Sequence, residues 1–224
     1  MSEKMLLTAA AVLLANVASA QHQYQETPAD QIVGQAIDQI GAGAGIKHHH
    51  HHELPPTGDF ASDSLHQLDA VWTDSDGEQL QIADLGPHPL VAAMIYTSCE
   101  YACPLIVGKM MEIYDGLDEA VRADTRFVLF SFDPQRDTPE KINSYRQERG
   151  IDKQEWSVLT ADDEAAQQLA LALGVRYQPT PDGEFAHSNI ITVIDRLGVP
   201  SFQLLGLDEP AAEAIAAVGQ AHRH

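Results

Sequence analysis

Cysteine is scarce in this 224-residue chain: there are two, Cys99 and Cys103. A disulfide-built scaffold is thereby excluded, because such scaffolds are dense in cysteine. Basic residues are also few, 13 Lys and Arg against 33 Asp and Glu. The resulting formal charge of −20 opposes binding to nucleic acid or anionic lipid. It favours cationic partners, or serves solubility alone. Long apolar runs are missing as well. The largest, Met5 to Val17, spans 13 residues, where a membrane-crossing helix needs about 20.

What is present at the start reads as an export signal. Met1-Ser2-Glu3-Lys4 precedes that apolar run, and Ala18-Ser19-Ala20 precedes the polar Gln21-His22-Gln23. Residues 1–20 are therefore expected to be a leader cleaved after Ala20. The protein is expected to be exported and periplasmic, soluble if cleaved and peripheral to the membrane if not. Cleavage one residue earlier would place His22 third, a geometry that chelates Cu(II). In such a compartment a close cysteine pair tends towards oxidation unless something reduces it.

Residues 21–66 have the composition of a flexible tail or linker, with Gly41-Ala42-Gly43-Ala44-Gly45 and Pro55-Pro56. Ile32, Val33, Ala36, Ile37 and Ile40 recur at helical spacing, so a short helix over 29–40 is expected within it. His48, His49, His50, His51 and His52 follow. Their internal position behind a native-looking leader reads as a natural tract rather than a tag. Consecutive imidazoles bind Cu(II), nickel or zinc adaptably and form an accessory metal candidate, the alternative being a plain spacer.

Residues 67–224 alternate strands and helices, which predicts an α/β domain with a mixed central sheet covered by helices. Leu68–Trp72 and Gln79–Ile82 form an N-terminal hairpin around Asp74-Ser75-Asp76-Gly77. Pro89–Thr97 is a buried strand, Pro104–Val121 one helix, and Arg126–Phe132 a second strand followed by a helix starting at Thr138-Pro139. A strand at Val158, a helix over Asp162–Leu173, a hairpin of His187–Asp195 with Val199–Leu205, and a helix over Pro210–Gly219 complete the domain. Met110 and Met111 lie in an apolar helical stripe and are expected to pack in the core.

Cys99 and Cys103 lie four apart, between a strand and a helix, at the sheet edge where ligands bind in α/β folds. A structural staple is a poor reading, since closing so short a loop removes little chain entropy. Cys103 precedes Pro104 and is expected to cap the helix, whose free amides favour thiolates. Thiolates serve both disulfide exchange and soft-metal ligation, and the pair alone leaves both open. Three intervening residues give the sulfurs room to separate around a metal, which would then need a third ligand. Imidazole suits that role.

Three elements occur in order: Tyr96-Thr97-Ser98-Cys99-Glu100-Tyr101-Ala102-Cys103-Pro104, Ser131-Phe132-Asp133-Pro134-Gln135-Arg136-Asp137-Thr138-Pro139-Glu140, and Ala186-His187-Ser188. Together they resemble the SCO/SenC family over roughly residues 66 to 207. The resemblance implies a thioredoxin-like fold and one copper ion bound by Cys99, Cys103 and His187. It also implies a chaperone that assists the dinuclear copper site of cytochrome c oxidase, either by delivering copper or by reducing the recipient's cysteines. Asp133 becomes a candidate to sit beside the metal. Asp137 or Thr138 is expected to cap the next helix, and Arg136 to pair with a carboxylate.

The partner implied is the apo copper-site subunit of the oxidase or another copper protein, with a thiol-reducing protein as a second. The alternative function is a thiol-disulfide oxidoreductase using Cys99 and Cys103 as its redox pair, for which His187 would be dispensable. A peroxide-reducing enzyme lacks a second residue set to polarise its substrate. A passive metal buffer would rest chiefly on the histidine tract. Whether the chain is an enzyme stays open here, with the metallochaperone reading favoured.

Overall fold

The computed structural model describes residues 64–223. The leader expected over 1–20, the helix expected over 29–40 and the tract His48–His52 lie outside the described residues. A short hairpin opens the domain, β1 (Trp72–Thr73) against β2 (Gln79–Leu80). Then come β3 (Leu90–Ile95), α1 (Ala102–Gly116), α2 (Glu119–Asp124), β4 (Arg126–Ser131), α3 (Pro139–Glu148), β5 (Trp156–Leu159) and α4 (Asp163–Ala172). The chain closes with β6 (Tyr177–Pro179), β7 (Phe185–His187), β8 (Ile190–Ile194), β9 (Pro200–Leu205) and α5 (Ala211–Ala221).

Five strands form the central sheet in the order β5-β4-β3-β8-β9. The β3, β4 and β5 strands run parallel, while β8 and β9 are antiparallel to their neighbours. The expected mixed sheet of a thioredoxin-like fold is therefore the one observed. Central β3, Leu-Val-Ala-Ala-Met-Ile, is buried at every position, as a strand covered on both faces requires. Trp72 meets Phe130 edge-on at 4.7 Å and Phe127 stacks on Trp156 at 4.8 Å, filling the core with aromatic area. Met110 is fully buried there, as expected.

Two local differences from the sequence expectation have physical causes. The single helix expected over Pro104–Val121 is two: α1 ends at Gly116, Leu117 turns extended (ψ 145°) with its side chain buried, and α2 begins after Asp118. Gly116 sits where α1 meets α5, and a Cβ there would lie 2.4 Å from Ile215 Cδ1. The second difference concerns His187, expected at the start of the strand through Asp195. It belongs instead to a separate two-stranded ribbon, β6 with β7, in which Tyr177 pairs His187. Ser188 still pairs with the ribbon, donating its amide to Arg176 O at 2.8 Å, and the central sheet is joined only by β8, from Ile190.

Candidate metal centre

The site grows from the C-terminal end of β3. Tyr96 and Thr97 leave the strand buried, and a turn closed by Cys99 N–H to Tyr96 O at 3.3 Å brings the first sulfur back over the sheet. Asp137, fully buried, anchors this turn. Its carboxylate accepts from Thr97 N at 3.0 Å, from the Thr97 hydroxyl and from Ser131 Oγ at 2.6 Å. Asp137 or Thr138 is expected to cap the next helix. Thr138 fills that role, accepting from Lys141 N with Pro139 in the first turn.

The helix after the cysteine loop starts earlier than expected. Tyr101 precedes it and Cys103 is its second residue, so Cys103 is not the cap. Pro104 falls at the third helical position, still inside the first turn, where an amide would have had no intrahelical partner. The free amide of Cys103 donates to Cys99 Sγ at 3.3 Å. Cys99 thus does the capping that Cys103 was expected to do.

Both cysteines are unpaired and buried, but their acidities diverge. Burial opposes ionisation of Cys99, yet the amides of Cys103 and Tyr101 and the Cys103 thiol outweigh it and lower its pKa. Burial dominates at Cys103 and pushes its pKa well up, and negative charge on Cys99 and Asp137 adds to the rise. Cys99 is the more acidic of the two thiols. The other needs a compensating positive charge to ionise.

His187 supplies the third donor from β7. Its Nε2 lies 3.9 Å from Cys103 Sγ, and the donor atoms of Cys99, Cys103 and His187 all lie within 4.8 Å of one another. Nδ1 sits 3.2 Å from Ser188 O, so a proton held there is hydrogen-bonded and leaves the Nε2 lone pair facing the sulfurs. Metal bonds of about 2.0–2.3 Å from a common centre set three donors roughly 4 Å apart, which these residues match. Two soft sulfurs and one imidazole suit copper or zinc better than magnesium or calcium.

An aromatic wall holds the imidazole. Tyr96 meets it edge-on at 5.9 Å, and Phe132, stacked on Tyr177 at 4.6 Å, lies 5.4 Å away. Outside, a cleft of about 620 Å³ lined by Glu100, Tyr101, Asp182 and Glu184 opens onto Cys99 and His187. Asp133 is buried and ion-paired to Arg136, with burial, aided by Asp137, raising its pKa despite that arginine. Sequence reasoning missed the anchoring by Asp137 and the hydrogen bond from the Tyr96 hydroxyl to Glu184, 2.7 Å long. The Asp-Pro-Gln-Arg-Asp run marked the first of these without revealing which strand it would hold.

A sequence profile of the SCO1/SenC family matches residues 66–221, well over half the chain and all three donors. The chain belongs to the SCO1/SenC family. Among its relatives is the SCO1 protein homolog of Bacillus subtilis, 26% identical over 112 residues, which are 50% of this chain and 58% of that protein. The match thus spans little more than half that relative's length. Among solved structures, Bradyrhizobium japonicum ScoI with copper bound superposes with a TM-score of 0.57 at 22% identity, covering 68% of this chain and 96% of the other. BsSco, described as having a disulfide switch and as a member of the Sco family of cytochrome c oxidase assembly proteins, gives 0.59 at 22% identity, covering 68% and 91%. Both share the fold of this SCO1/SenC domain. Among the described residues, no helix is long and apolar enough to cross a membrane.

Proposed function

We propose that this protein is an exported copper chaperone that holds one copper ion through Cys99 Sγ, Cys103 Sγ and His187 Nε2. In this role it assists assembly of the copper site of cytochrome c oxidase. The observation that carries the reading is the convergence within 4.8 Å of three soft or borderline donors from two distant parts of the chain. Copper is cargo here, not a resident catalyst. Cys99 offers the first thiolate; a cation at the site then favours ionisation of Cys103, whose burial otherwise opposes it. A partly exposed imidazole closes the site on its solvent side, where a recipient's ligands can replace it first. The copper-bound ScoI and the oxidase-assembly role printed for BsSco support this reading by likeness of fold.

Anaerobic Cu(I) titration of the reduced protein beside Cys99→Ser, Cys103→Ser and His187→Ala tests it. The parent binds one Cu(I), each cysteine variant loses most of its affinity, and His187→Ala loses about tenfold or more. Equal binding by His187→Ala and the parent overturns the three-ligand site. Retention of oxidase assembly by cells carrying either cysteine variant overturns the chaperone role.

The acidity difference between the cysteines favours a second activity at the same pair. In it the Cys99 thiolate attacks a partner disulfide, the displaced partner sulfur leaves as thiolate, and Cys103, deprotonating, resolves the mixed disulfide. The partner gains two electrons and this chain is left oxidised, needing a dithiol reductant to return. Oxidation removes both sulfur ligands, so copper holding and thiol reduction exclude one another in a single molecule.

A further inference from the structure

The ribbon that carries His187 is too small to hold itself. The β6 and β7 strands contribute three residues each and pair only with one another, outside the central sheet. Isolated two-stranded ribbons of this size are marginal in water. Gln178 and Pro179 are exposed, as are residues 181–184 of the connecting turn. Yet the distance from His187 to the cysteines depends on where this ribbon lies.

Arg136 reaches across to it from the loop after β4. Its Nη1 donates to Gly183 O in the ribbon's turn at 2.9 Å, and its Nε donates to the buried Asp133 carboxylate. The planar guanidinium lies 5.4 Å from the Phe185 ring centre in β7 and 5.7 Å from that of Tyr96 at the end of β3. One side chain therefore touches the turn of the ribbon, its second strand, the central sheet's edge and a buried anchor. Asp133 is fixed in turn, its amide donating to Ser131 Oγ at 3.0 Å. Tyr96 reinforces the same contact through its hydroxyl, which donates to Glu184 at 2.7 Å.

We propose that Arg136 is a positioning residue, a clasp that docks the β6–β7 ribbon on the domain and so sets His187 within reach of Cys99 and Cys103. The proposal rests on the three-ligand reading given above. Arginine is suited to the task because its fork bonds two acceptors while its face packs on rings, and a lysine would keep the charge without that geometry. Losing the clasp lets the ribbon sample positions away from the sulfurs, so part of the third ligand's contribution to affinity is lost to ordering the ribbon.

Two measurements on the full-length protein test the clasp. Amide hydrogen exchange of the reduced, metal-free protein at residues 183–187 quickens in Arg136→Ala and in Arg136→Lys, with exchange in β3 and β4 unchanged. Cu(I) affinity, read against a chromophoric chelator, falls about tenfold in Arg136→Ala, and the same substitution costs less than twofold when His187→Ala is already present. Parent-like affinity in both Arg136 variants overturns the proposal, and so does an equal loss with and without His187, which would place the effect on the cysteines. Should Arg136→Ala not fold, Arg136→Lys decides the matter by the same readouts. Equal affinity of parent and His187→Ala instead overturns the ligand reading and the clasp's metal role with it; the exchange data then report ribbon docking alone.

Discussion

The two ends of β3 are built on opposite principles. At its start, Leu90 pairs Arg126 on one side and Ile194 on the other, and the loops there gather His88, Asp124, Arg196 and His222. The Asp124 carboxylate is surrounded, meeting His88 Nδ1 and His222 Nδ1 at 2.8 Å each and the Arg196 guanidinium. Arg196 also donates to Pro87 O at 2.7 Å and to His222 O at 3.0 Å. This end ties the C-terminal segment to the sheet with matched charges. At the other end, the cysteines and His187 face one another, with 3.9 Å between Cys103 Sγ and His187 Nε2. The first end spends its polar groups on itself. The second turns two sulfurs and an imidazole nitrogen towards one another, which leaves chemistry to be done.

The largest break in that contrast is expected from Asp137, a heavily bonded acid beneath the open end. Asp137→Ala leaves the Thr97 amide, the Thr97 hydroxyl and Ser131 Oγ without their buried acceptor. Each such orphan costs about 1–3 kcal/mol, so urea unfolding should report a loss of about 3 kcal/mol or more. Asp137→Asn, which retains one acceptor, loses less. Cu(I) affinity falls in both, because the turn that presents Cys99 hangs from Thr97.

At the closed end the effect is smaller and purely structural. Asp124→Asn is expected to cost about 1–2 kcal/mol in urea unfolding and to leave Cu(I) affinity as in the parent. A pH dependence accompanies it. Burial opposes the charge on Asp124, but hydrogen bonds from His88 and His222 and the Arg196 charge prevail and hold its pKa below the usual carboxylate value. A carboxyl depressed in the folded state contributes fully above its unfolded pKa of about 3.9, and the contribution fades as pH falls through the folded value. Unfolding free energy of the parent should drop more steeply than that of Asp124→Asn below about pH 4. Parallel curves would contradict the ion cluster.

The smallest effect lies within the open end itself. In reduced, metal-free protein a small alkylating reagent should label Cys99 before Cys103, with a pH midpoint below the ordinary thiol value of about 8.5. Peptide mapping distinguishes the two sites. Labelling of Cys103 first would reverse the acidity order and with it the attacking and resolving roles.

Much of the open end was legible in the chain, and little of the closed one. The cysteines, Pro104 and the Asp-Pro-Gln-Arg-Asp-Thr-Pro run are contiguous, so motif and spacing expose them. The succession of elements along the chain followed from apolar runs such as Leu90–Ile95. His187 was expected as a third ligand but placed in the wrong strand, because β6 and β7 are three residues long and partly exposed, with β6 ending on Pro179, and so carry no periodic pattern. The Asp124 cluster joins residues 36, 72 and 98 positions apart, and no local signal connects them. The swapped capping of α1 depends on where a sulfur points. Asp137 was visible as a residue, but whether its carboxylate turns to its own helix or to Thr97 is decided by the packing of β3 against β4.

X-ray absorption at the copper edge of the Cu(I)-loaded protein tests the central claim most directly. The account predicts two sulfurs and one nitrogen around a single copper, with the nitrogen lost in His187→Ala. A sulfur-only copper in the parent, unchanged by His187→Ala, would contradict it.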